Sequence, residues 1–292
     1  MDFRTIVSLP ERAPRISPAT HAVILGSCFA EGVGGKLGEI LGDEQCSVNP
    51  FGVLYNPRSI CQTLRLLIAD EQEVQQQLES SLFEGRDGLW HSWLFSGNYS
   101  ALSRGDALEK MTTSVMHARA VLQEKTLLML TFGTDHFYTL KDSGFVVANC
   151  HKEIPQTFEE QEDKVDDIVA ALKSSLADFV LKFPQTEILM TISPYRYKKY
   201  GFHTSQLSKS RLLLAVDEVS KTIGTYFPAY EILLDELRDY RFYAPDMLHP
   251  SVQAVDYIWQ RFSEWAFTPE MAAFAAQKSK EIKQKNHRTL HG

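Results

Sequence analysis

Short apolar runs alternate along the chain with longer amphipathic stretches. His21–Gly26 (HAVILG) is apolar at nearly every position and stops at a glycine, the pattern of a strand buried on both faces. Phe29, Val33, Leu37 and Leu41 then recur at helical spacing and predict a helix. The glycines among them (Gly32, Gly34, Gly35, Gly38) are tolerable there only where the helix backbone packs closely on a sheet. Asn56-Pro57 predicts a second helix start, because Asn caps free N–H groups and Pro is already set to helical φ; Ile60, Leu64, Leu67 and Ile68 form its buried stripe. Residues 126–133 (TLLMLTFG) and 187–193 (EILMTIS) predict two further buried strands, and the turn-like residues 141–144 suggest a hairpin between them. Thr157-x-x-Glu160 reads as a capping box ahead of the helix carrying Val165, Ile168, Val169, Leu172, Leu176 and Phe179. Residues 207–223 predict another helix and 226–232 the last strand. Val252, Val255, Trp259 and Phe262 mark a late helix. Thr268-Pro269-Glu270 opens a final one, whose polar end, 277–292, is expected to fray.

Alternating strands and helices argue for an α/β fold with a mostly parallel sheet and helices on both faces, which places functional residues just after the strands. No repeat and no Gly, Pro or Ser linker divides the chain, so residues 1–292 are expected to form one domain. Residues 71–106, weakly periodic and rich in turn signals, read as an insertion beside the site.

With 292 residues and an ordinary apolar share, the chain excludes disorder as its main state. A net charge of -7 disfavours nucleic-acid partners and anionic membrane surfaces. The first residues lack the continuous apolar core of a secretory signal. The most apolar run, 126–132, is far shorter than the roughly 20 residues of a transmembrane helix, so a cytoplasmic location is expected. Cys28, Cys46, Cys61 and Cys150 are too sparse for a disulfide framework and lack a Cys-x-x-Cys pair; they read as thiols, with no metal site and no cofactor expected.

Two positions then carry chemistry. Gly26-Ser27-Cys28 stands where the first strand ends and the first helix begins. Free N–H groups at a helix N-terminus favour a thiolate and also solvate an oxyanion. A buried core cysteine would account for the same thiol. Asp246-x-x-His249, in APDMLHPS, spaces a carboxylate to hold Nδ1–H so that Nε2 faces a nucleophile from another strand. A solvated turn accounts for the same spacing when it stands alone.

The blocks LGSCFAEGVGGKL, NPFGVLYNPRSI, LTFGT, VVANCHK, TISPYR and YFPAYEILLDELRDYRFYAPDMLHPS, in order from Val23 to Phe262, resemble the GSCFA family of the SGNH/GDSL hydrolase-like group. The resemblance implies a three-layer α/β/α sandwich with a flavodoxin-like sheet of the SGNH-hydrolase type. It also implies a nucleophile in the first block and Asp-x-x-His in the last. The broader group has Gly-Asp-Ser in its first block, so Cys28 inherits the nucleophile position, with the adjacent Ser27 as rival in a shifted register. The implied oxyanion hole comprises the Cys28 N–H, Gly52, and a third-block amide. Here that block reads Gly133-Thr134-Asp135-His136, so Thr134, or Asn149 or His151 from NCHK, must substitute, since an ionised Asp135 repels an oxyanion.

Tyr195, Arg196, Tyr197, Lys198, Lys199, Tyr200 and His203 follow a strand end, and Arg196, nearest the strand, is the candidate for an anionic substrate group. Trp90, His91 and Trp93 are candidates to wall an acyl pocket. Neighbours on an extended chain face opposite ways, which separates a structural Cys150 from a site-facing His151. The resulting expectation is an acyl hydrolase or acyltransferase acting on an ester or thioester of a small-molecule acyl or glycan substrate, through Cys28, His249 and Asp246. The alternative is a non-catalytic module of the same fold that binds a carbohydrate or acylated ligand.

Overall fold

The computed structural model describes residues 4–122 and 125–289. In chain order the first half comprises β1 (His21–Gly26), α1 (Cys28–Leu41), β2 (Cys46–Val48), α2 (Pro57–Ile68), α3 (Glu71–Ser81), β3 (Leu82–Glu84), β4 (Trp90–Ser92) and α4 (Arg104–Val121). The second half comprises β5 (Thr126–Phe132), β6 (His136–Leu140), β7 (Val146–Val147), β8 (Phe158–Glu162), α5 (Val165–Lys182), β9 (Glu187–Ile192), α6 (Phe202–Ser220), β10 (Thr225–Phe227), α7 (Ala229–Glu231), α8 (Val252–Ala266) and α9 (Pro269–Thr289).

The central sheet is parallel throughout and runs β10-β9-β5-β1-β2. Counted by the order of its own strands this is the flavodoxin-like arrangement, whose strand order reverses between β1 and β5 and opens a crevice at their carboxyl ends. Alternate β1 residues enter different cores. Val23 and Leu25 pack with residues of α2, α4, α5 and α6, while Ala22 and Ile24 pack with residues of α1, α8 and α9. Three layers result, as the alternation of elements and the family resemblance both imply.

Register aligns the functional edge. Gly26 pairs with Thr131, and Thr131 with Thr191, so β1, β5 and β9 end level and release Ser27, Gly133 and Ser193 side by side. Two glycines permit this closeness. Gly26 has φ +145°, and a Cβ there would lie 2.3 Å from the Thr131 carbonyl oxygen. A Cβ on Gly34 would lie 2.9 Å from Ile24 Cδ1, so α1 sits on the sheet closer than an alanine allows.

Three local expectations are corrected. Thr157 opens no helix: residues Phe158–Glu162 pair antiparallel with β6, and the helix begins only at Val165. The last strand stops at Phe227, because Pro228 lacks an N–H for the ladder and the chain winds on through α7 into a π-helical turn, Ile232–Glu236. Helix α6 begins at Phe202, five positions before residue 207, directly after Gly201 at φ +81°. The expected hairpin is present as β6–β7. Residues 71–106 form α3, the β3–β4 hairpin and the entry to α4. The polar end from residue 277 is helical through Thr289, and 290–292 lie outside the described residues. Among the described residues, no helix is long and apolar enough to cross a membrane.

Candidate active site

A cavity of about 280 Å³ lies at the carboxyl edge of the sheet, lined by residues from the ends of β1, β5 and β9 and from the loop before α8. Ser27 is the N-cap of α1, and its Oγ accepts the Phe29 N–H at 3.3 Å. That bond buries Ser27 and leaves Cys28, the first helical residue, exposed at the cavity mouth. The Cys28 N–H, at the first helical position, has no intrahelical acceptor.

His249 reaches the same cavity from a tight turn. Met247 takes φ +61°, which curls the chain so that one carboxylate holds both ends of the turn. Asp246 Oδ1 accepts the N–H groups of Leu248 and His249 at 2.9 and 3.0 Å, and Oδ2 accepts from His249 Nδ1 at 2.5 Å. The hydrogen bond from the His249 ring, followed by the two backbone N–H groups, lowers the Asp246 pKa to about 2. An ionised carboxylate only accepts, so Nδ1 carries a proton and, in the neutral imidazole, Nε2 is the accepting nitrogen. The turn is fastened to the segment that follows β9 by Arg196 N–H donating to the Leu248 carbonyl at 2.9 Å. Tyr195 lies against the imidazole with ring centroids 4.3 Å apart.

Tyrosines make up much of the remaining wall. Tyr55 Oη lies 3.6 Å from Cys28 Sγ, and the Tyr55 carbonyl accepts the N–H groups of Gly133 and Thr134 at 2.7 and 3.0 Å, tying its loop to the end of β5. Tyr195 and Tyr197 also line the cavity. Burial is the first cause that raises the pKa of all three phenols, so they remain neutral hydrogen-bond donors at physiological pH. Behind them Lys209, only 1% exposed, donates from Nζ to the carbonyls of Gly133 at 2.5 Å and Ser193 at 2.7 Å, clamping the ends of β5 and β9 together. Burial pushes its pKa down to about 7, with Arg196 adding to the effect and Asp135 opposing it.

The structure therefore brings Ser27, Cys28 and His249 to one cavity, with Asp246 directly behind His249. Other residues expected at the site lie elsewhere. Gly52 donates its N–H to the Asn49 carbonyl at 2.7 Å within a turn. Thr134 is buried, with its hydroxyl on Ser208 at 3.2 Å, and Asp135 is buried against Arg211 at 2.6 Å. Asn149 accepts the His151 N–H at 2.7 Å, and His151 Nε2 meets the Ser92 carbonyl at 2.8 Å. His151 packs on Phe83, His91 and Trp93, and its φ of +48° shows that the chain turns where extended geometry was expected. Arg196 lines a neighbouring groove. Among the described residues, no group of three or more His, Cys, Asp or Glu side chains is arranged to hold a metal ion.

Tyr55 and Lys209 carry no local signal of a site. Tyr55 stands one residue before the Asn56 cap, in a loop without periodicity, and Lys209 occupies a polar position in the pattern of an amphipathic helix. No curated protein is significantly similar to this chain. The GSCFA family model matches residues 21–262, from the first residue of β1 into α8, and the chain belongs to that family.

Proposed function

We propose that the cavity performs acyl transfer or hydrolysis on an ester or thioester, with Cys28 as nucleophile, in the manner of an SGNH-type hydrolase. The observation that carries the reading is the pairing of an exposed thiol at a helix N-terminus with a histidine whose Nδ1 is held by Asp246, both on one cavity. His249 Nε2 takes the thiol proton as Sγ bonds to the carbonyl carbon. The C–O or C–S bond to the leaving group then breaks, and that group receives the proton from His249. Water or an acceptor hydroxyl, deprotonated in turn by His249, attacks the thioester carbonyl; the C–Sγ bond breaks, the acid or new ester leaves, and Cys28 Sγ takes the proton back from His249. Ser27 is the weaker nucleophile candidate, because its oxygen is buried and occupied as the helix cap. The Cys28 N–H and the neutral Tyr55 hydroxyl serve as oxyanion donors, Tyr55 standing in for the third-block amide.

A second reading, a binding module without turnover, is favoured by one observation: Thr134 and Asp135, at the third-block position, are committed to Ser208 and Arg211. Timed iodoacetamide labelling, read by mass spectrometry in wild type and His249→Ala, separates the two. Cys28 is expected to react first, since burial raises Cys46 to about 12 and Cys150 to about 11 and also raises the buried Cys61. The nucleophile assignment requires that His249→Ala slow the labelling of Cys28 itself; an inert Cys28, or a Cys28 rate unchanged in His249→Ala, leaves the binding module.

A further inference from the structure

Beyond the wall formed by Tyr195-Arg196 and Leu248-His249 lies a second, larger groove of about 550 Å³. Its floor is apolar, built from Leu233, Leu234 and Leu237 of the π-helical turn region, and Phe202 and Met247 stand half-exposed at its rim. Three charged residues line it. Arg238 is paired with Asp235 at 3.3 Å, and Asp239 with Arg241 at 3.0 Å. Arg196 is half-buried and, among the described residues, has no ion-pair partner; its guanidinium only lies over the Phe202 ring, 5.8 Å from the centroid. Nearby Lys209 adds to the positive field when it is protonated.

We propose that this groove is a subsite for an amphiphilic anion, an alkyl or acyl segment bearing a carboxylate or phosphate that Arg196 receives. A partly desolvated guanidinium without a carboxylate favours an anion strongly, because the fork of N–H donors matches both groups and water screens it poorly. The leucine floor takes the hydrocarbon. Arg196 and Tyr195 are consecutive, as Met247 and His249 nearly are, so one ligand bound here lies next to the thiol cavity. Its service as the second half of the reaction site rests on the catalytic reading above; binding itself does not.

The test is titration calorimetry of wild type, Arg196→Gln and Cys28→Ala with decanoate, decyl phosphate, decanol and decyltrimethylammonium. The expected result is that at least one anion binds about 10-fold or more tighter than the alcohol or the cation, and that Arg196→Gln abolishes the preference. The tighter anion identifies carboxylate or phosphate as the group recognised. Arg196→Gln keeps the backbone bond to Leu248. Leu234→Glu, which leaves Arg196 in place and sets a like charge on the floor, is a second variant expected to lose anion binding. Equal binding of all four compounds, no binding of either anion, or a preference that survives Arg196→Gln overturns the subsite. Undiminished anion binding by Cys28→Ala, beside a wild type that turns over no ester, retains the groove and rejects the catalytic reading.

Discussion

Replacing Asp246 with Asn tests the role of the turn through a single proton. The Asp246 side chain accepts three hydrogen bonds, two from backbone N–H groups at Oδ1 and one from His249 Nδ1 at Oδ2. Asparagine offers one accepting oxygen and one donating NH2. The oxygen must stay on the two backbone N–H groups, because turning the NH2 toward them opposes donors to donors. The NH2 then faces Nδ1 and forces it to accept, which moves the ring proton to Nε2. On the proposed mechanism, His249 then presents a donor to Cys28 and no longer takes its proton. For a nucleophile–His–Asp triad of the proposed kind, the wrong tautomer is expected to lower turnover by about 10⁴-fold. The fold is expected to hold, since Asp246 and His249 are 43% and 44% exposed and an exposed pair adds little stability. The assay is release of p-nitrophenol from its acetate, with the acyl-enzyme followed by intact mass and unfolding followed by circular dichroism. Asp246→Asn turnover indistinguishable from wild type, in a protein that melts at the same temperature, would refute the tautomer argument.

Tyr55→Phe removes the hydroxyl beside Cys28 and is expected to lower turnover by about 10²-fold with unchanged melting; an unaltered rate excludes Tyr55 as an oxyanion donor. Lys209 sets a pH dependence of stability. Its pKa falls from 10.5 unfolded to about 7 folded, so between these values the unfolded state binds more protons and stability rises with pH. Urea denaturation at several pH values is expected to show that Lys209→Met lacks this rise, a difference in slope of up to about 1.4 kcal/mol per pH unit; parallel profiles for the two proteins contradict a buried, depressed lysine. Gly26→Ala forces a Cβ onto the Thr131 carbonyl at φ +145° and is expected to cost about 2 kcal/mol or more in the same experiment, whereas a neutral substitution means that β1 and β5 part easily at this edge.

Much of the frame is local and was legible as such. β1 could be read to the residue because both its faces are apolar and a glycine ends it, and α2 because Asn56 and Pro57 carry its start in their own chemistry. The same local logic failed at Thr157, where a capping pattern sits on a polar strand held by β6, a partner some twenty residues upstream. It failed again at His151, where a positive φ redirects the side chain into the His91 cluster.

By itself, then, the sequence determined the alternation of strands and helices, the mostly parallel sheet, Cys28 at the junction of the first strand and helix, and the Asp246–His249 spacing. Periodicity, capping and a three-residue spacing act within a few positions of the chain. Only the tertiary structure decided that Tyr55 stands beside Cys28, that Lys209 clamps β5 to β9, that Gly52, Thr134 and Asn149 turn their polar groups elsewhere, and that Arg196 faces a second groove. Each of these depends on sheet register and helix docking, which join residues from distant parts of the chain whose local patterns carry no trace of one another.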